Sequence, residues 1–130
     1  MLYLDSSALA KLVTREAETD RLRAYLDARA NAIRFASALA HAELLRAAHQ
    51  LGDEAVATAR EVLARIELVD VSRELLEHAG TLAACHRLRT LDAIHVATAS
   101  VAGDRLEAVV TYGSRMAEAA AALGLPVERP

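Results

Sequence analysis

The sequence predicts a three-layer α/β/α fold, with a mostly parallel sheet of four to five strands and helices on both faces. Three observations predict it. Short runs of strand-forming residues recur at positions 1–4, 33–36, 68–71 and 108–111. The stretches between them carry apolar residues at helical spacing. Finally, 54% of the residues are apolar, many of them Ala or Leu, with no Trp, which suits helices packed closely together. Strands separated by helices in this way make a parallel sheet covered on both sides.

The first strand runs into Asp5 and two small hydroxyl residues, Ser6 and Ser7. Leu9, Leu12 and Val13 follow at i, i+3 and i+4, the mark of a short helix, which Ser6 or Ser7 can cap. Positions 14–16 read as a polar connection. A second helix over 17–29 turns Leu22, Tyr25 and Leu26 inward. After the strand at 33–36, Ser37 caps a helix over 38–51 with a core stripe of Ala40, Leu44, Ala47, Ala48 and Leu51. Gly52 stops that helix and Asp53 caps the next, where Val56, Ala59, Leu63 and Ile66 form the inner face. The strand at 68–71 leads to Ser72, the cap of a helix with Leu75, Leu76, Ala79, Leu82 and Ala83 inward. Thr90 caps a helix over 91–102, ended by Gly103. The strand at 108–111 precedes Ser114, read as the cap of an alanine-rich helix that runs to Leu123, with Gly124 just beyond it. Pro126, Val127 and Glu128 can add an edge strand, where the missing N–H of proline is tolerated.

A chain of 130 residues reads as one domain over 1–130, able to bury roughly two-thirds of its unfolded surface. No repeat, linker or low-complexity segment interrupts it. The formal charge is −3, so nothing at whole-chain level advertises nucleic-acid binding, although a local basic rim or a metal can do that work. Cys85 has no internal partner and is expected as a small core residue, which fits a reducing cytoplasm. Asp5 breaks the N-terminal run too early for a signal peptide, and no apolar run approaches the ~18 residues of a membrane span. The expectation is a cytoplasmic protein with no membrane segment. The helical hairpins at 7–29 and 38–66 are bulkier than a minimal crossover needs and offer an apolar surface to a partner.

Three carboxylates fall in suggestive places. Asp5 ends the first strand, and ligands of parallel sheets gather beyond the carboxyl ends of strands; a helix cap is the plainer role. Asp92 lies in the first turn of a helix polar only at Asp92, His95, Thr98 and Ser100, hence mostly buried. A buried ionised carboxylate is paired or holds a metal, whereas a merely local role would complement the helix dipole. At about 100° per residue, Glu43 sits on the margin of its core stripe, where an ion pair with Arg46 is the alternative. Two carboxylates ~4 Å apart repel by about 4 kcal/mol at an effective dielectric near 20. If the three converge, Mg²⁺ or Mn²⁺ relieves that repulsion. The same ion can activate water and neutralise a scissile phosphate.

Around these acids, Ser6 and Thr111 are candidates to hold a metal water or a carboxylate oxygen, with helix capping the competing role for Ser6. His95 follows Asp92 by three residues and can orient a ligand carboxylate; a core histidine bonded to backbone is the favoured reading. His41, His49, His78 and His86 show no metal-ligand spacing and are expected at the surface. Arg46, Arg87, Arg89 and Arg115 flank the acids in sequence and can meet phosphates, though each also reads as a solvated charge. Tyr112 is the one aromatic residue expected near the site.

Four segments in order resemble the PIN-domain ribonucleases, and among them the VapC toxins of prokaryotic toxin–antitoxin pairs. They are strand–Asp5-Ser6-Ser7-Ala8-Leu9, then Glu43-Leu44-Leu45-Arg46-Ala47, then Leu91-Asp92-Ala93-Ile94-His95-Val96-Ala97-Thr98-Ala99, then Val110-Thr111-Tyr112 with Arg115-Met116. The resemblance covers essentially the whole chain. It implies a PIN-like α/β/α fold and a Mg²⁺- or Mn²⁺-dependent endoribonuclease that hydrolyses RNA. It also implies a cognate VapB-like antitoxin and a homodimer. Asp5, Glu43 and Asp92 match three of the family's acidic positions and take the catalytic and metal-binding roles by that match. The fourth position departs: the family pattern is Thr-Tyr-Asp-x-Arg, and Gly113 stands where the acid would be. Ser114 offers a hydroxyl nearby, and Arg115 keeps the pattern's arginine.

Two further readings compete. One is a catalytically weakened or inactive PIN-domain binding module, crippled at Gly113, that still binds an antitoxin. The other is an aspartyl phosphotransferase or phosphatase using Asp5. Such an enzyme wants an acid at position 7, where Ser7 stands, and a lysine late in the chain, whereas Lys11 is the only lysine.

Overall fold

A computed structural model describes residues Met1 to Pro130. Five strands form one sheet: β1 (Leu2–Leu4), β2 (Arg34–Ser37), β3 (Glu67–Val69), β4 (Ala108–Val110) and β5 (Val127–Glu128). Their order is β3-β2-β1-β4-β5, and every pairing is parallel. The helices are α1 (Ser6–Val13), α2 (Thr19–Asp27), α3 (Ala38–His49), α4 (Asp53–Leu63), α5 (Arg73–His86), α6 (Thr90–Ser100) and α7 (Ser114–Ala122). A 3-10 turn at Gly103–Arg105 precedes β4. No helix is long and apolar enough to cross a membrane.

Strand alternation builds the layers. Successive side chains point to opposite faces, so Leu2 and Leu4 pack with Ala36, Ala108 and Val110 under α1 to α4. Tyr3, Phe35 and Val109 face the other way, against Val96 and Ala99 of α6 and Met116, Ala119 and Ala120 of α7. Helix α5 completes that second layer by packing Leu75, Ala79 and Leu82 on α6. Removing a side chain such as Leu9 or Leu44, both essentially inaccessible, costs about 2–5 kcal/mol on truncation to Ala. Helix α6 is buried at every position from Ala93 to Ala99, as its mostly apolar or small composition predicts.

The order of elements and the three layers match expectation; several local expectations do not. Helix α2 is shorter than 17–29, and β3 and β4 each end before the expected boundary. Ser37 and Ser72 do cap α3 and α5, accepting from the N–H groups of Leu39 and Leu75. Asp53, Thr90 and Ser114 do not cap. Each already lies inside its helix, and Gly52, Arg89 and Gly113 take the non-helical cap position before it. Gly52 has φ 107 there, a conformation that favours glycine. Neither Ser6 nor Ser7 caps α1: Asp5 holds the extended cap position, without a side-chain cap bond. Cys85 is exposed, not core, because α5 turns only one stripe onto α6. Leu51 and Leu76 are likewise exposed, at 62% and 45%; Leu51 lies beyond the end of α3, and Leu76 sits on the outer side of α5. Gly124 stands in the left-handed region at φ 71, as a residue just past a helix end should.

Candidate functional site

β1 and β4 are adjacent and parallel, so Asp5 and Thr111 leave the same edge of the sheet side by side. The Asp5 carboxylate is buried. Its Oδ2 accepts a hydrogen bond from the Ser7 hydroxyl at 2.7 Å and another from Thr111 at 2.8 Å. Ser6 makes a longer approach to Oδ1 at 3.4 Å. The cage is itself tied down. Ser7 Oγ accepts from the Tyr112 amide at 2.9 Å, and Thr111 Oγ1 accepts from the Gly113 amide at 3.1 Å. All of these partners are neutral, and Asp5 takes part in none of the molecule's ion pairs.

Glu43 comes in from α3, half-buried. Its Oε2 lies 3.0 Å from His95 Nε2, and the Ser6 hydroxyl is near enough to favour its charged form. Burial pushes the Glu43 carboxyl up. The His95 bond and charge, with Ser6 and Arg46 behind them, outweigh burial and hold it below the usual carboxylate value. Arg46 acts only at a distance; the alternative ion pair with it does not form, and His95 is the partner instead.

His95 is buried on α6 and spans two elements. Its Nδ1 lies 2.6 Å from the Tyr3 hydroxyl on β1, while Nε2 faces Glu43. Tyr3 Oη is buried, and burial pushes its pKa well above the ordinary value. With a neutral imidazole, Tyr3 donates to Nδ1 and Nε2–H donates to Glu43. Burial pushes the imidazole pKa down, but the Glu43 bond and the charges of Asp5, Glu43 and Asp92 push harder, leaving it raised. Sequence reasoning favoured a histidine bonded to backbone; the partners are side chains, and the role is to join β1, α6 and α3. The sequence assigns Tyr3 no part in the site. Its only signal was a polar-tipped aromatic residue inside an apolar strand.

Asp92 is the third residue of α6 and carries its charge at the positive end of that helix. It makes no ion pair. Together Asp5, Ser6, Glu43, Asp92 and His95 line one open cleft of about 640 Å³, rimmed by Arg89, Ser114 and Arg115. Thr111 stands behind the cleft as a clamp on Asp5. The Tyr112 side chain points elsewhere: its ring sits under the Lys11 ammonium at 4.7 Å, and its hydroxyl donates to the Pro130 carbonyl at 3.0 Å. His41, His49, His78 and His86 are exposed. Ser7 joins the site from a sequence neighbourhood that pointed to it without singling it out, and Arg89 stands at the rim, as its place among the flanking arginines suggests.

The donors suit a hard cation. They are carboxylate and hydroxyl oxygens, and Asp5 is a buried carboxylate with no cationic partner, the situation a metal or a proton resolves. Yet no three His, Cys, Asp or Glu side chains close on a common point. Glu43 is turned toward His95, and Gly113 supplies no acid. The expected single hollow exists; a preassembled set of three ligands does not.

The PIN domain family model matches residues 2–122. Over 129 residues the chain is 46% identical to Ribonuclease VapC46 of Mycobacterium tuberculosis, covering 99% of this chain and 97% of that protein. It is 41% identical over 132 residues to Ribonuclease VapC35 of the same species, covering 100% and 97%. The fold also superposes on the crystal structure of M. tuberculosis VapC20, a sarcin-ricin loop cleaving toxin, with TM-score 0.78, 18% identity and full coverage of both chains. For VapBC2 of Rickettsia felis bound to a DNA fragment from its promoter, the TM-score is 0.76 at 17% identity, with 98% of each chain covered.

Proposed function

Since the chain belongs to the PIN-domain family, with VapC ribonucleases among its relatives, we propose that it is a metal-dependent endoribonuclease toxin. It hydrolyses RNA phosphodiester bonds and is neutralised by a VapB-like antitoxin. One observation carries the assignment to a site: Asp5, Glu43 and Asp92, drawn from β1, α3 and α6, line one cleft, and the most buried of them lacks a cationic partner. These three would hold Mg²⁺ or Mn²⁺, which when bound would supply Lewis acidity for phosphodiester hydrolysis.

The chain's own groups do the rest. Ser7 and Thr111 fix the Asp5 carboxylate in one orientation. His95 holds Glu43 at the cleft wall, where the negative charge is needed, and keeps it ionised by its own proton. Asp92, free of protein partners, can turn toward an incoming cation. Arg89 and Arg115 at the rim can meet substrate phosphates. The hydrolytic reading needs no serine or cysteine nucleophile.

A second reading has its own support. Gly113 leaves the fourth family acid absent, and three ligands are not assembled in advance. A binding module that sequesters an antitoxin without cutting RNA would look the same. The hairpins α1–α2 and α3–α4 serve as the antitoxin surface in either case, and a homodimer is part of both. Cleavage of a mixed RNA pool with and without Mg²⁺ or Mn²⁺, comparing this chain with Asp5→Asn, separates them. Metal-dependent cuts that vanish in Asp5→Asn establish the nuclease; cutting by neither protein establishes the binding module.

A further inference from the structure

The acidic cleft does not stop at Arg115. A second cavity of about 360 Å³ adjoins it, and Arg89, Asp92 and Arg115 line both. The far wall is the turn between α5 and α6 at His86 and Arg87, and α7 contributes Glu118 and Ala119. The two hollows therefore form one groove, acidic at one end and rich in arginine at the other.

Arg87 supplies an independent observation. It ends α5 with φ 54 and ψ 38, and it is the only residue other than glycine with a positive φ. Helices commonly close this way on glycine, because a Cβ there crowds the backbone. Strain retained at such a position is a pointer to a use for the side chain, and Arg87 lines the cavity. The guanidinium groups of Arg87, Arg89 and Arg115 join none of the molecule's ion pairs, and all three residues are exposed. Opposing them are Asp92, which belongs to the acidic cleft, and Glu118; His86 adds positive charge when protonated. Cations prevail at the far end.

We propose that this second cavity is a subsite for a backbone phosphate of the RNA strand, adjacent to the one being cut. Arg87 is its principal contact, and Arg89 and Arg115 are shared between the subsite and the cleft. The inference rests on the RNA-cleaving reading above. Guanidinium contacts to phosphate set affinity and register without reading bases, so the subsite holds the strand in place and leaves sequence choice to other contacts.

The test is Arg87→Gly, a change that relieves the left-handed backbone and so should preserve or raise the melting temperature. Binding of a labelled single-stranded RNA oligonucleotide is measured on the full chain carrying Asp5→Asn, to prevent cutting, with and without Arg87→Gly, across a salt series. Loss of one phosphate contact should weaken binding and reduce the slope of log affinity against log salt by about 0.7. Arg87→Lys, which keeps the charge, should restore most of that slope. Equal affinity and slope in the presence and absence of Arg87→Gly overturn the subsite while leaving the nuclease reading intact. Failure of the Asp5→Asn parent to bind RNA overturns that reading and the subsite with it. A drop in melting temperature with Arg87→Gly assigns the side chain to the fold and also overturns the proposal.

Discussion

His95 Nε2 meets Glu43 Oε2 at 3.0 Å, joining two helices that lie 52 residues apart in sequence. The imidazole is positioned from behind by the Tyr3 hydroxyl at 2.6 Å. His95→Ala therefore leaves two polar groups without partners, at roughly 1–3 kcal/mol for each one that stays buried. It also frees Glu43 to rotate away from the cleft. The expected outcome is a lower melting temperature together with metal-dependent RNA cleavage reduced about 10–100-fold, the usual effect of removing a group that orients a metal ligand. His95→Gln, which can keep one bond, should recover stability more than cleavage. Cleavage at the parental rate in His95→Ala would remove Glu43 orientation from the mechanism.

The same pair makes metal-free stability depend on pH in a defined direction. The folded pKa of His95 is raised above its usual 6.5 by Glu43 and the neighbouring acids, against burial. Its contribution is thus fully present below about 6.5 and is lost as pH rises through the folded value. The folded pKa of Glu43 is lowered from 4.5 by His95, again against burial. Its contribution is present above 4.5 and is lost as pH falls through the folded value. The stability gap between the parent and His95→Gln should be widest between these two ordinary values and should narrow on both sides. Urea unfolding in the presence of a chelator measures it. A gap that grows steadily toward alkaline pH would contradict the assignment.

The layers were legible in the sequence because burial follows pattern: α6 is mostly apolar or small and is buried from Ala93 to Ala99, and β1 alternates Leu2, Tyr3 and Leu4 between two cores. The gathering of Asp5, Glu43 and Asp92 was legible only through the order of family motifs, since no local property of α3 places Glu43 near β1. Bonds made at a distance were not legible. Tyr3 and His95 are 92 residues apart, and nothing in either segment names the other. Ser37 and Ser72 cap as expected, but other helix caps failed for a different reason. A hydroxyl residue beside a helix start can be the last extended residue or the first helical one, and Thr90 and Ser114 fell inside by a single position. Cys85 and Leu51 show that apolar character permits burial without requiring it.

Thr111 offers a test of the Asp5 clamp. It is fully buried, donates to Asp5 Oδ2 at 2.8 Å and accepts from the Gly113 amide at 3.1 Å. Thr111→Val keeps the shape and removes these bonds, together with the 3.3 Å contact to Ser7 Oγ. It should cost about 1–3 kcal/mol, because a carboxylate and an amide each lose a buried partner. Thr111→Ser keeps the hydroxyl and loses a methyl group, costing on the order of 1 kcal/mol. Chemical denaturation ranks the three proteins, and Val should fall below Ser. The reverse order would mean that methyl packing, not the bond to Asp5, is what Thr111 provides.

Gly113→Asp should move the protein in opposite directions with and without metal. Gly113 has φ −77 and ψ 121, open to any L residue. A Cβ there would meet Thr111 Oγ1 at 3.5 Å, Asp5 Oδ2 at 3.7 Å and Met116 Cβ at 3.7 Å, all ordinary contacts. The new carboxylate would occupy the cap position of α7, a gain over glycine of only a few tenths of a kcal/mol. It would also stand beside Asp5, and two carboxylates ~4 Å apart repel by about 4 kcal/mol at an effective dielectric near 20. Repulsion wins, so the metal-free variant should melt below the parent at low ionic strength. Mn²⁺ should reverse the order, because an added oxygen ligand strengthens the site more than the charge weakens the fold. RNA cleavage should rise with it. Melting curves in chelator and in Mn²⁺, paired with cleavage rates, decide the matter: a variant that melts like the parent under both conditions and cuts no faster would place position 113 outside any metal site.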